Sequence, residues 1–278
     1  MKYTIGFSPC PNDTFIFDAL VNGLIDNHGI QVEPILEDVQ TLNEWAIQGK
    51  LDISKISYGV LPQVLDEYNL LDAGGALGKG VGPLLISKSS KALSEVENYP
   101  VALPGNQTTA HMLFALAFPQ AKQKIFLRYD KIEEYVQTHP EATGVIIHEN
   151  RFTYKQKGLF ELMDLGKFWE ERTKGPVPLG GIVIRRSIDH AIQVKINDLI
   201  SKSLRHAQTN YPFLSFYVKK HAQEMSEDVM RQHISLYVNE YSLSIGTEGK
   251  NAVETLLRIA KSHNVPSPNL KEPVFLLP

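Results

Sequence analysis

Gly82-Pro83-Leu84-Leu85-Ile86-Ser87-Lys88-Ser89 has a near echo later in the chain, Leu179-Gly180-Gly181-Ile182-Val183-Ile184-Arg185-Arg186-Ser187. Each stretch enters through glycine or proline, runs apolar, and leaves through a basic residue and serine. Short apolar runs bounded in this way read as buried strands. About ninety residues separate the two, enough for a small α/β lobe. The pair therefore reads as matched connecting strands. Residues 1–89 and 181–278 are expected to form a larger, discontinuous lobe and residues 90–180 a smaller inserted one, with a cleft between them.

The segments on either side repeat one local grammar of apolar strand, polar corner and helix. Tyr3–Phe7 leads into Ser8-Pro9-Cys10-Pro11-Asn12-Asp13 and a helix from Thr14 to about Ile25, with Asn12 or Asp13 as its cap. Leu51–Ile53 leads through the corner Ser54-Lys55-Ile56-Ser57 into a short helix, Tyr58–Leu65. Val101–Leu103 leads through Pro104–Gln107 into Thr108–Phe118, and Gly144–Ile147 ends at His148-Glu149. Thr41–Gly49 reads as a helix, and Asp130 and Glu133 stand at capping-box spacing. The last third is helical, with stripes through Ile192, Ile196, Leu199, Ile200 and Leu204, then Met230, Ile234 and Tyr237, then Val253, Leu256 and Ala260. Strands alternating with helices predict α/β layers around a mainly parallel sheet.

Composition narrows the function. Apolar residues make up 43% of the 278 and charged ones 21%, enough for a sizeable core. A net charge of −3 argues against a nucleic-acid-binding surface as the main theme. No apolar run approaches the ~18 residues of a membrane span. A single cysteine and no signal-peptide pattern after Met1-Lys2 predict a cytoplasmic protein.

Ligands of open α/β sheets gather beyond the carboxyl ends of the strands, where helix N-termini offer free amides and partial positive charge. The four corners are therefore the candidate site, and a small-molecule carboxylate is the natural guest. Thr108-Thr109-Ala110 brings two hydroxyls and several amides to one helix start, although Thr108 also suits a plain N-cap. In Lys55-Ile56-Ser57, the serine either caps the next helix or turns its hydroxyl to the cleft. His148, at the end of a Val-Ile-Ile strand, is either a hydrogen-bonded strand terminator or a proton acceptor. His111 is a candidate for the core, and the remaining histidines read as solvated. Cys10 fits packing better than nucleophilic chemistry. His148-Glu149 starts a zinc-helix motif, but Phe152 stands where the second histidine is required, and no Cys/His cluster replaces it. Gly74–Gly82 fits no nucleotide-binding fingerprint.

The strings FSPCPNDTFIF, LEDVQTLNEWA, GGALGKGVGPLL, IIHENRFTY and LGKFWEERT resemble the 1,4-dihydroxy-6-naphthoate synthase family of the futalosine route to menaquinone. The likeness runs in order from about residue 3 to beyond residue 240. It implies a two-lobed fold similar to type II periplasmic binding proteins. It implies a carbon–carbon lyase that converts cyclic dehypoxanthine futalosine into 1,4-dihydroxy-6-naphthoate with release of dihydroxyacetone. It also implies no metal and no organic cofactor. By the same resemblance His148 is the proton acceptor, and Lys55, Ile56, Ser57, Thr108, Thr109 and Ala110 contact substrate. Two rivals share the architecture, a solute-binding protein without chemistry and the sister enzyme chorismate dehydratase. The missing signal-peptide pattern disfavours the first, and the IIHENRFTY string the second. Nothing in the sequence addresses oligomeric state.

Overall fold

The computed structural model describes residues 2–222, 226–262 and 273–276. The first part of the chain runs β1 (Lys2–Phe7), α1 (Pro11–Val21), β2 (Gln31–Leu36), α2 (Val39–Ile47), β3 (Ile53–Ser57), α3 (Leu61–Val64), β4 (Tyr68–Leu70) and β5 (Ala76–Gly78). The middle part runs β6 (Leu84–Ser87), β7 (Val101–Leu103), α4 (Thr109–Ala117), β8 (Lys124–Phe126), α5 (Ile132–Thr138), β9 (Thr143–Ile146), α6 (Asn150–Thr153), β10 (Phe160–Asp164) and α7 (Leu165–Thr173). The last part runs β11 (Val177–Arg185), α8 (His190–Asn210), α9 (Phe216–His221), α10 (Glu227–Tyr237), α11 (Glu240–Leu243) and α12 (Gly246–Ser262).

These strands build two sheets. The first has the order β2-β1-β3-β11-β4, with β5 also paired to β11. The second has the order β10-β6-β9-β7-β8. Sheet membership changes between β5 and β6 and changes back before β11, so the chain crosses twice between two α/β layers. The two echoing stretches are therefore not a matched pair: β6 belongs wholly to the second sheet and β11 to the first. Both sheets are mixed rather than mainly parallel. β1 pairs in parallel with β2 and β3, and β7 with β8 and β9, but β11 and β6 run antiparallel to their neighbours. A strand that arrives from the other lobe enters from the opposite end, and that reverses its direction.

Three further local readings are corrected. α1 starts at Pro11, three residues before Thr14, with Cys10 as an N-cap whose side chain makes no capping bond. Proline at the first helical position forfeits only an amide that has no helical partner. Ser54–Ser57 is the body of β3 and not a corner: Ser57, Ile56 and Lys55 oppose Gly180, Gly181 and Ile182 of β11. Asp130 does not cap α5. It is held by Arg128 at 2.6 Å, and the helix starts at Ile132 after a turn of 3-10 helix. The helical stripes of the last third are buried apart from the partly exposed Ile192, with Ile196, Leu199, Ile200 and Leu204 of α8 and Val253, Leu256 and Ala260 of α12 inside. No described helix is long and apolar enough to cross a membrane.

Candidate active site

A cleft of about 710 Å³, counted out to its mouth, lies where the two sheets face each other. All seven residues singled out for the site line it: Lys55, Ile56, Ser57, Thr108, Thr109, Ala110 and His148. So do Ser8, Asn12 and Asp13 of the opening corner, and Tyr237 at the end of α10.

The opening corner is a polar hub. Asp13, in the first turn of α1, reaches back so that its Oδ2 accepts from the Ser8 amide at 3.2 Å and the Ser8 hydroxyl at 2.7 Å. Its Oδ1 accepts from Asn12 Nδ2 at 2.9 Å and lies 3.2 Å from Lys55 Nζ. The Lys55 ammonium also donates to the Gly74 carbonyl at 2.6 Å. Lys55 and Asp13 are both buried, so the pair brings fixed charge to the cleft wall at nearly zero net charge.

Ser57 is set by a residue that pattern reading passed over. Asn43 of α2, wholly buried, accepts from the Ser57 amide at 2.8 Å and donates to the Ser57 hydroxyl oxygen at 3.0 Å. With its oxygen engaged, the serine has its O–H free to donate toward the cleft. Ile56 points its side chain into the larger apolar core, so it offers the cleft its backbone.

At the start of α4 the hydroxyls are already committed. Thr108 Oγ1 accepts from the His111 amide and donates to the Gly105 carbonyl, an ordinary N-cap. Thr109 Oγ1 accepts from the Gly59 amide at 3.0 Å and donates to Leu179 O at 2.7 Å, tying α4 to the first sheet. The cleft is therefore offered amides and not hydroxyls. Among the described residues the N–H groups of Thr109 and Ala110, the first two of the helix, meet no protein acceptor. Gly59 makes the approach possible, because a Cβ there would stand 2.9 Å from the Thr108 carbonyl and the Thr109 amide.

His148 follows β9 with φ 56°, a left-handed conformation that costs a non-glycine residue about 1–2 kcal/mol. The twist turns the ring into the cleft, where Tyr129 packs edge-on at 4.9 Å between centroids. Its Nε2 is shut away from solvent and meets no hydrogen-bond partner among the described residues. Desolvation pulls its pKa down to about 4; Asp13 and Asp38 act to raise it, and Lys55 to lower it. The imidazole is neutral at physiological pH, as a proton acceptor must be.

Behind His148 stands His233 of α10, which sequence reading left among the solvated histidines. It is fully buried, and its ring lies 6.0 Å from that of His148 at an interplanar angle of 21°. Its position could have been found in the pattern, since 233 falls between Met230 and Tyr237 on the apolar stripe. His111 is half-buried, with Nδ1 2.8 Å from the Asn106 carbonyl, and burial lowers its pKa.

Cys10, His148 and Glu149 each place one potential metal-ligand atom within 4.8 Å of the others, a cluster that spacing along the chain did not reveal. A metal requires the thiolate. Burial, then Glu149, push the Cys10 thiol well above its ordinary range, and it shares a hydrogen bond with the Tyr129 hydroxyl. The trio does not have the character of a metal centre.

The fold is that of the periplasmic-binding-protein-like class. An alkanesulfonate-binding protein from Xanthomonas axonopodis pv. citri superposes with a TM-score of 0.73 at 10% identity, over 96% of this chain and 94% of its own. A protein of solved structure from Archaeoglobus fulgidus superposes with a TM-score of 0.89 at 28% identity, over 95% and 98% of the two chains. Within that class the chain belongs to the menaquinone biosynthesis family, whose pattern matches residues 3–262. It is 42% identical to the 1,4-dihydroxy-6-naphthoate synthase of Thermus thermophilus over 98% of both chains. It is 39% identical to that of Streptomyces coelicolor over 94% of this chain and 93% of the relative.

Proposed function

We propose that this protein is a 1,4-dihydroxy-6-naphthoate synthase, a cytoplasmic carbon–carbon lyase that acts on cyclic dehypoxanthine futalosine. The observation that carries the reading is the neutral His148 imidazole, turned by its left-handed backbone into the same cleft as the unpartnered amides of Thr109 and Ala110. Similarity to two synthases over nearly the whole chain supports it.

In this reading the substrate carboxylate sits on the Thr109 and Ala110 amides, where the α4 dipole favours negative charge, and accepts from the Ser57 hydroxyl. Lys55 acts through its pairing with Asp13, which fixes the cleft wall. His148 takes a proton from the substrate. The released electron pair moves as the carbon–carbon bond to the three-carbon fragment breaks, that fragment leaves as dihydroxyacetone, and the remaining ring becomes aromatic. The two products together hold the atoms and electrons of the substrate, so the step calls for no oxidant, reductant or cofactor. Lobe closure excludes water and aligns base and substrate.

Incubation with the cyclic substrate and mass spectrometry tests the activity. The purified protein is expected to yield dihydroxynaphthoate and dihydroxyacetone in equal amounts. Tight binding of small acids with no product would instead make it a binding protein. His148→Asn should bind product normally and lose turnover by roughly 10²–10⁴-fold, the usual worth of a general base. A variant with near-normal kcat would remove His148 from the mechanism.

A further inference from the structure

The His148 base has an unusual back side. Its Nε2 faces protein and not water, and a buried ring N–H without an acceptor is costly. Three elements converge there. The loop before α1 brings Cys10, the segment after β9 brings Glu149 beside His148, and α10 brings His233 from the other lobe. One carboxylate oxygen of Glu149 lies within 4.8 Å of a His148 nitrogen. Its Oε2 is 4.0 Å from His233 Nε2. The Glu149 carboxylate thus stands within reach of both imidazoles. Both ring nitrogens of His233 are buried and meet no hydrogen-bond partner among the described residues. Tyr237, tilted over the His233 ring at 4.7 Å, closes the cluster on the cleft side.

We propose that His233 is a positioning residue for His148: its Nε2–H holds the Glu149 carboxylate, and that carboxylate accepts the Nε2–H of His148 and fixes the base with Nδ1 open to the substrate. The proposal rests on the assignment of His148 as the base. It gives the second imidazole a task in the same proton transfer. A base with Nδ1 toward the substrate must carry its own proton on Nε2, and an ionised carboxylate is the acceptor that also stabilises the imidazolium once it forms. Burial, only partly offset by Asp13 and Asp38, leaves His148 a weak base with a pKa near 4, and a carboxylate that closes onto Nε2–H raises its basicity.

His233 suits the donor role because it is neutral. Burial and the neighbouring His148 push its pKa well below the ordinary range, so it offers an N–H without a competing positive charge. The ionisable groups around the pair come from several elements, with Arg151 and Asp164 acting on Tyr237 beside His233. Asp13, Asp38 and Lys55 act on His148 from α1, the cap of α2 and β3, and Cys10 and Tyr129 are held protonated by burial. Because His233 and His148 come from opposite lobes, the relay is complete only when the lobes are together. A 4.0 Å gap is of the kind that tightens on substrate binding.

The test compares His233→Gln with His233→Asn in the full-length protein. Both are neutral amides smaller than histidine. Gln reaches the position of Nε2 and can donate to Glu149, whereas Asn stops near Nδ1 and cannot. The Asn variant is expected to lose kcat by roughly 10- to 100-fold at unchanged KM, with the acid limb of its pH profile moved to lower pH as His148 loses basicity. Gln should recover most of the loss. A purely structural role would lower the unfolding midpoint of both variants alike and leave the limb in place.

A second readout is independent of the substrate. Histidine-¹⁵N spectra of the wild type should show His148 protonated on Nε2, and the Asn variant a mixture of tautomers. Wild-type turnover with equal kcat and equal limbs in both variants overturns this inference and leaves the synthase reading intact. Absence of wild-type turnover overturns the synthase reading. In that case an unchanged His148 tautomer in the Asn variant overturns the positioning role as well.

Discussion

Two buried clusters flank the cleft, and they differ in how fully their polar atoms are paired. Around Asp13 the charged groups are engaged: both carboxylate oxygens accept, Lys55 is held by Asp13 and Gly74 O, Ser8 closes the loop, and Asn12 Oδ1 alone in the hub is buried without a partner among the described residues. Around His148 the reverse holds. Its Nε2 and both nitrogens of His233 are buried without a hydrogen bond among the described residues, and the His148 backbone is strained. Buried polar atoms in proteins are normally satisfied, so the first cluster is what folding requires. Buried groups left open, together with a left-handed histidine, are what function tolerates. The first cluster builds the wall, and the second faces the chemistry.

That contrast can be broken by stability measurements, because the two clusters predict opposite signs. Lys55→Met leaves Asp13 ionised in a buried site without its counter-ion. Urea unfolding at neutral pH should show a loss of about 3–5 kcal/mol. A loss below about 1 kcal/mol would mean that the wall does not depend on the pair. At the other cluster, His148→Asn exchanges a strained residue for one that tolerates left-handed backbone. Stability should hold or rise by up to about 1 kcal/mol while turnover disappears. A marked destabilisation would show that the imidazole is structural.

Acid sharpens the comparison. His148 and His233 both have folded-state pKa values below the ordinary 6.5, so the unfolded chain binds more protons than the native one just below that value. Their stabilising contribution is complete above pH ~6.5 and is lost as pH falls toward the folded values, near 4 for His148. The unfolding midpoint should therefore drop between pH 6.5 and 4 in the wild type and drop less in His148→Asn. Equal slopes would place the acid sensitivity elsewhere.

The legible parts of this protein were those in which one residue type repeats with one period. The stripe Ile196, Leu199, Ile200 and Leu204 announced α8, and Val145-Ile146 set His148 at a strand end. The cleft residues came from asking what stands beyond such ends. β3 was read as a corner because Ser54, Lys55 and Ser57 are polar, yet the strand carries them because one of its faces borders the cleft. β2 escaped notice because Glu33 and Pro34 break its pattern, which an edge strand can afford. Asn43 and His233 were passed over for a related reason. Each is a polar residue on a buried face, and its partner lies on another element, at Ser57 or across the cleft at Glu149. Burial of a polar side chain is a tertiary fact, and periodicity reports only apolar ones.

The central claim is that an acid anchored on the α4 amides is met by the His148 ring. A crystal structure with dihydroxynaphthoate bound tests it most directly. The account predicts the carboxylate within about 3 Å of the Thr109 and Ala110 amides, with His148 Nδ1 facing the ring edge where the bond is cut. A product seated away from those amides, or an imidazole turned out of the cleft, would contradict it.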